Sequence, residues 1–238
     1  VSKPKLYLIP NTLGDFESPE KDMGHRISSA IEELDHFAVE NLKVSRRYFV
    51  RWGLKHKIDS SQFIIHSKKN AADSLVELES IFKNGHSIGM ISDAGCPGIA
   101  DPGNQLVQLA HRLQIPVIPL VGPSSVFLAL MASGMNGQNF SFHGYLPIEA
   151  QDRIKEIKAL EQKSIKNHST EIFMETPYRN QGLLTDLIKQ LSSEIKLCIA
   201  SQLTTNEELV ISQKIKDWKT AKQLPDLKKK PTIFLIQA

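Results

Sequence analysis

Short apolar runs, each closed by turn-forming residues and followed by a stretch with helical spacing, recur along the chain and restrict it to an open α/β sheet. Leu6-Tyr7-Leu8-Ile9 is stopped by Pro10 and reads as a buried strand. Asn11 to Pro19 is a loop of turn formers, and Ser28 to Phe37 carries helix-like or strand-edge character. Leu42 to Trp52 places apolar positions among basic ones and fits a helix with an exposed cationic side. Phe63-Ile64-Ile65 is a strand, and Ala71 to Lys83 a helix with Leu75, Leu78 and Phe82 on one face, stopped by Gly85. Ile88 to Ile91 is a strand that runs into the loop Ser92 to Gly103, and Leu106 to Leu113 resumes helical spacing. Val117 to Val121 is a strand, turned by Gly122-Pro123-Ser124-Ser125 into an apolar helix, Val126 to Ser133.

The second half keeps the style without repeating the sequence. Strands are expected at Phe140 to Tyr145, Glu171 to Glu175, Lys196 to Ser201, around Val210-Ile211 and at Pro231 to Ile236. Helices are expected at Asp152 to Lys166 and Leu183 to Leu191; Trp218 falls on a short, mostly polar segment and Lys222 to Lys230 on a loop. A boundary near Ile115 to Leu120 divides an N-terminal α/β domain, 1–117, from a C-terminal α/β domain, 118–238. No internal repeat or low-complexity segment is evident.

At 238 residues the chain can bury a substantial core, and its 41% hydrophobic and 23% charged content is that of an ordinary globular protein. A net charge of +3 does not by itself point to nucleic acid, but basic residues cluster at Arg46, Arg47 and Arg51 and at Lys228 to Lys230. Two cysteines, Cys96 and Cys198, lie far apart and away from zinc-ligand spacing, so neither a disulfide framework nor a metal is expected. No apolar run approaches the ~20 residues of a membrane span. The opening Val1-Ser2-Lys3-Pro4-Lys5 has no signal-peptide architecture. A cytoplasmic protein without a membrane partner is the expectation.

Two junctions can carry chemistry. Ser92 to Gly103 follows a strand and precedes a helix, the position at which α/β sheets bind ligands. Its three glycines allow close backbone approach, its two prolines fix the path, and Asp93 and Asp101 can accept hydrogen bonds. On composition alone the plainer reading prevails, a tight surface loop with Asp101 capping a helix and Pro102 as its first residue. Val121 to Ser125 brings a strand to a helix N-terminus, which suits an anion or is simply a Ser-capped start. A Gly-x-Gly-x-x-Gly after the first strand, a Walker lysine motif and Gly-x-Ser-x-Gly are all missing, which removes support for dinucleotide, nucleotide-phosphate and hydrolase readings.

Ser92-Asp93-Ala94-Gly95-Cys96-Pro97 through Asp101-Pro102-Gly103, followed by Val121-Gly122-Pro123-Ser124-Ser125 and Ala132-Ser133-Gly134, resembles the tetrapyrrole (corrin/porphyrin) methylase superfamily. Within it the likeness is greatest to the ribosomal RNA small-subunit methyltransferase I branch, ribose 2′-O-methyltransferases. Phe142-His143-Gly144-Tyr145-Leu146-Pro147 and Phe173-Met174-Glu175-Thr176-Pro177-Tyr178-Arg179 look like further segments of that branch, so the likeness covers nearly the whole chain in one order. It implies two sheet domains, a homodimer, and S-adenosylmethionine in the interdomain cleft. By position, Asp93, Ala94, Gly95, Pro97, Ile99 and Ala100 would line the cofactor, Gly122, Ser124 and Ser125 would meet it, and Met174, Pro177, Leu203, Pro231 and Thr232 would close it. The chain departs from the branch at Pro10-Asn11-Thr12-Leu13-Gly14-Asp15, at Val39-Glu40-Asn41-Leu42-Lys43, at Cys96, where threonine is usual, and in lacking a further segment after its last strand.

A ribose hydroxyl is a poor nucleophile, so a base should assist it. Asp15, Glu40 and Glu175 are the candidates, with Arg46, Arg47 and Arg179 holding phosphates of an RNA acceptor. Each has a plainer reading: Asp15 completes a turn, Glu40 and the arginines form a solvated helix face, and Glu175 pairs with Arg179. A small tetrapyrrole-like acceptor, or cofactor binding without transfer, are the competing functions.

Overall fold

The computed structural model describes residues 3–14, 19, 23–67, 69–100 and 102–238. The described chain forms two compact units, Val1–Ser124 and Ser125–Ala238.

In the N-terminal unit, strands β1 (Leu6–Ile9), β2 (His36–Val39), β3 (Gln62–Ile65), β4 (Ile88–Ile91) and β5 (Val117–Pro119) make one sheet in the order β3-β2-β4-β1-β5. Every pairing is parallel. Helices α1 (His25–Glu33), α2 (Leu42–Arg51), α3 (Lys57–Ser60), α4 (Ala71–Lys83) and α5 (Asn104–Arg112) connect them. A parallel sheet needs both faces covered, and alternation along the strands supplies two cores. Ile9, Phe37, Val39 and Ile91 meet Ile27 and Ile31 of α1 and Phe49 of α2. Ala38, Ile64, Ile88 and Met90 meet Leu78 and Phe82 of α4 and Leu106 and Leu109 of α5. Gly89 is required by the first core, because a Cβ there would lie 2.8 Å from Phe37 Cδ1 and 2.9 Å from Ile9 Cδ1.

The expectation for Ser28 to Phe37 needs correction: the stretch holds the end of α1 and the start of β2, separated by Leu34 and Asp35. A division after residue 117 would detach β5 from its partner β1, whereas the compact units divide between Ser124 and Ser125. Pro102 is not the first residue of a helix either; α5 begins at Asn104 behind Gly103 at φ 136°, and Asp101 lies outside the described residues.

In the C-terminal unit, β6 (Phe140–Tyr145), β7 (Thr170–Met174), β8 (Lys196–Ser201), β9 (Leu209–Lys214) and β10 (Thr232–Gln237) are ordered β6-β7-β10-β8-β9. Only β6 and β7 pair in parallel. Helices α6 (Ser125–Ser133), α7 (Ala150–Asn167), α8 (Asn180–Gln190) and α9 (Ile215–Thr220) complete the unit. Ile157 and Leu160 of α7, Leu183, Leu184 and Leu187 of α8 and Trp218 of α9 cover Phe173, Leu197, Ile199 and Phe234. Trp218 and Ile215 are the buried apolar anchors of an otherwise polar short helix, and Trp218 Nε1 donates to the Leu197 carbonyl at 3.1 Å.

Candidate cofactor loop and cationic pocket

The loop after β4 is fixed mainly by backbone and amide hydrogen bonds. Asn11 and Gly95 exchange both backbone bonds as an isolated antiparallel bridge, N···O 2.9 and 3.0 Å. The buried Asn11 side chain donates to the carbonyls of Ser92 and Asp93, 3.1 Å each, and accepts the Thr12 amide at 2.8 Å. Ser92 Oγ donates to the Gly95 carbonyl at 2.8 Å. Gly95 sits at φ 69°, where a side chain is unfavourable. The Cys96 thiol points at the Pro123 carbonyl, 3.4 Å away, so the loop is tied to the turn after β5. That turn in turn lies on Pro10: a Cβ on Gly122 would be 2.2 Å from Pro10 Cγ.

Asp93 Oδ1 is buried without a hydrogen-bond partner. Burial pushes its carboxyl above the usual value, and the Asn41 backbone N–H opposes that shift. An orphaned buried acceptor calls for a donor, and a hydroxyl or amino group of a ligand supplies one. Ala94, Ile99 and Ala100 are exposed beside it, Pro97 is buried, and Gly122, Ser124 and Ser125 are half-buried. The loop, with an unsatisfied carboxylate beside the open surface of Ala94, Ile99 and Ala100, therefore fits the hydroxyls and ammonium of S-adenosylmethionine.

Asn41 also opens α2: its side-chain oxygen accepts the amides of Lys43 and Val44 at 3.0 and 3.4 Å. The apolar side of α2 is buried through Tyr48 and Phe49, and the Tyr48 hydroxyl donates to the Pro10 carbonyl at 2.6 Å. Burial pushes that hydroxyl's pKa upward, so it remains a donor. The opposite side of α2 lines a pocket of about 930 Å³ with Glu40, Asn41, Lys43, Arg46, Arg47 and Arg51, walled by Val50 and Ile65. Arg51 also donates to Thr12 Oγ1 at 3.3 Å, joining the pocket to the loop after β1. Three of the residues expected to act on the acceptor, Glu40, Arg46 and Arg47, thus share one concavity. Asp15 lies outside the described residues.

In the C-terminal unit, Met174 is in register with Ile233, and Thr232 with Ser201. Thr232 Oγ1 meets Ser201 Oγ at 3.0 Å, and the Gln202 amide donates to the Pro231 carbonyl at 2.9 Å. Met174, Pro177, Leu203, Pro231 and Thr232 consequently gather at one end of the sheet. Glu175 is buried there; its Oε1 accepts the Thr176 amide and Arg179 Nη2, each at 2.6 Å. Burial pushes the Glu175 carboxyl up, but the bonds from Arg179 and Thr176 outweigh it and hold the group below the ordinary carboxylate range. Glu175 and Arg179 thus form an ion pair.

Curated proteins similar to the chain include the ribosomal RNA small subunit methyltransferase I of Vibrio cholerae, 31% identical over 87% of this chain and 67% of that protein. The protein of the same name from Mesorhizobium japonicum is 33% identical over 87% of this chain and 66% of its own length. The chain belongs to the ribosomal RNA small subunit methyltransferase I family. It spans about two thirds of the length of these family members. No family model matches the chain. Solved structures share the fold: the methyltransferase CobJ has a TM-score of 0.64 at 13% identity, covering 98% of this chain and 94% of CobJ. Uroporphyrin-III C-methyltransferase from Thermus thermophilus, complexed with S-adenosylhomocysteine, has a TM-score of 0.53 at 12% identity, covering 98% of this chain and 97% of that one. The tetrapyrrole-methylase fold expected from the motifs is therefore the fold observed. Among the described residues of this family member, no helix is long and apolar enough to cross a membrane, and no group of three or more His, Cys, Asp or Glu could hold a metal ion. Sequence reasoning overlooks Asn11, whose buried amide is not distinguishable from a turn former before folding, and Val50 and Ile65, which come together only through the packing of α2 beside β3.

Proposed function

We propose that the chain is an S-adenosylmethionine-dependent methyltransferase that modifies a ribose 2′-hydroxyl of small-subunit ribosomal RNA. The observation that carries this reading is the cationic pocket on α2, which sets a carboxylate, Glu40, among Lys43, Arg46, Arg47 and Arg51. The relatives' names and the family membership support the acceptor class.

When bound, the cofactor supplies an electrophilic methyl group on a sulfonium. Asp93, Ala94, Gly95, Pro97, Ile99, Ala100, Gly122 and Ser124 are the N-terminal unit's residues for holding it; Ser125, Met174, Pro177, Leu203, Pro231 and Thr232 are those of the C-terminal unit. Lys43, Arg46 and Arg47 bind acceptor phosphates, and alignment of the acceptor oxygen provides much of the acceleration. Glu40 is the group assigned to take the hydroxyl proton. Glu175 is assigned to positioning Arg179 rather than to proton transfer, because its pairing keeps it ionised and engaged. A homodimer in the cytoplasm belongs to the same reading; Phe127 and Met131, 53% and 79% exposed one turn apart on α6, supply an apolar face for self-association.

Calorimetric titration with S-adenosylmethionine and S-adenosylhomocysteine tests the cofactor assignment. Asp93→Ala should weaken binding about tenfold to a hundredfold, the weight of a hydrogen bond to a charged group. Absence of binding by the wild type would remove the reading. Transfer of labelled methyl to small ribosomal subunits, read as a position resistant to alkaline hydrolysis, tests the acceptor; transfer to a tetrapyrrole and none to RNA would replace it. In RNA-binding titrations across salt concentrations, Arg46→Ala and Arg47→Ala should each flatten the slope by about one unit for every phosphate the arginine neutralises. Unaltered slopes would exclude both arginines from the RNA.

A further inference from the structure

The loop that follows β7 displays an aromatic side chain on a rigid support beside a run of cations. Tyr178 is 79% exposed. Its neighbours are fixed: the Arg179 amide closes a turn on the Thr176 carbonyl at 2.9 Å, and the Lys229 amide donates to the Pro177 carbonyl at 2.9 Å. The buried Glu175 carboxylate anchors both ends of the turn through the Thr176 amide and the Arg179 guanidinium. Asn180 Nδ2 donates to the Lys230 carbonyl at 2.6 Å, so the basic segment Lys228 to Lys230 is held alongside residues 177–180. Lys228 and Lys229 are exposed. Tyr145, 54% exposed at the end of β6, is in register with Met174. Of the nearby acids, Glu175 is buried and paired with Arg179, and the exposed Asp226 turns one oxygen to the Lys228 amide at 3.0 Å.

We infer that Tyr178, with Lys228 and Lys229, forms an RNA-binding surface on the C-terminal unit that stacks an unpaired base and neutralises the flanking phosphates. This rests on the acceptor being RNA. A tyrosine at a loop tip leaves a large apolar ring in water, and the hydrogen-bonded backbone around it confines the ordering cost on this side to the tyrosine's own rotamers when a flat ligand covers it. Cations next to an exposed ring match the pattern of single-stranded nucleic-acid binding, where a base stacks and lysines meet the backbone. A duplex keeps its bases stacked on one another and offers the ring nothing, so single-stranded RNA is the occupant.

Fluorescence anisotropy with a short unstructured RNA and with a duplex of the same length reads this directly. Tyr178→Ala should weaken single-strand binding about tenfold and leave duplex binding unchanged, while Tyr178→Phe retains the affinity. Lys228→Ala with Lys229→Ala should lower the salt slope by about 1.4, at about 0.7 for each single-strand phosphate neutralised. All three positions are exposed, so folding is preserved, and cofactor titration of the same variants serves as the independent readout. If the wild type binds cofactor and methylates RNA while Tyr178→Ala binds single strands normally, the inference fails and the functional reading stands. Equal losses on single strand and duplex, or loss in Tyr178→Phe, would also overturn stacking. A wild type that binds neither RNA would instead remove the reading on which the inference rests.

Discussion

Gly122→Ala is expected to cost the N-terminal unit about 2 kcal/mol or more and to abolish high-affinity cofactor binding in whatever protein remains folded. The added Cβ would stand 2.2 and 2.3 Å from Pro10 Cγ and Cβ. Neither atom can yield by changing rotamer, because the pyrrolidine ring is fused to its own backbone. That backbone is itself committed, since the Pro10 carbonyl accepts the Tyr48 hydroxyl and Asn11 is bridged to Gly95. Relief must therefore come from moving the turn after β5 away from the loop after β4. Thermal unfolding should show a fall of roughly 4–8 °C for a chain of this size, and calorimetry a loss of cofactor heat. A variant with unchanged melting and unchanged binding would mean that Gly122 and Pro10 do not pack as described.

Glu171→Ala is expected to destabilise the C-terminal unit by about 3 kcal/mol at neutral pH. Glu171 is fully buried on β7, and its carboxylate accepts Ser169 Oγ and His143 Nε2 at 2.5 Å each and lies 3.2 Å from Lys163 Nζ. The value sits at the low end for a broken buried pair because the side chains of His143 and Lys163 are 20% and 39% exposed and can turn to water. Burial pushes the Glu171 carboxyl up, but the bonds from Ser169, His143 and Lys163 outweigh it and depress its pKa below the ordinary 4.5. A depressed carboxyl contributes stability that is complete above the unfolded value and disappears as the pH falls through the folded one. Urea unfolding of wild type and variant should therefore differ most at neutral pH, with the gap closing below about pH 4.5. A gap that persists in acid would assign the loss to shape rather than charge.

Strands buried on both faces are the most legible part of the fold. β1, β4 and β8 are apolar runs bounded by turn residues, and their extents agree with the sequence reading because nothing else can be done with such runs. β2 is hidden because His36 follows α1 after only Leu34 and Asp35, leaving no turn signal to separate a helical period from a strand. A division after residue 117 falls short of the one between the compact units because β5 is completed by pairing with β1, a partner far away along the chain. At the site, the motif residues around Asp93 and the arginines of α2 can be named in advance. Their surroundings cannot: Val50 and Ile65 come to wall the arginines only once α2 and β3 are folded together.

The order of strands in the C-terminal sheet has a consequence for biosynthesis. β10 lies between β7 and β8, yet it is the last of the five to leave the ribosome. Until it emerges, β6 with β7 and β8 with β9 exist as two half-sheets, each presenting an open edge with no partner. The unit therefore reaches its native state after, not during, the translation of its other elements, and the nascent chain depends on protection of those edges for that interval. Stalled or prematurely ended chains lacking Thr232 to Gln237 would hold two unsealed sheets and should be found among aggregates rather than as a smaller folded protein.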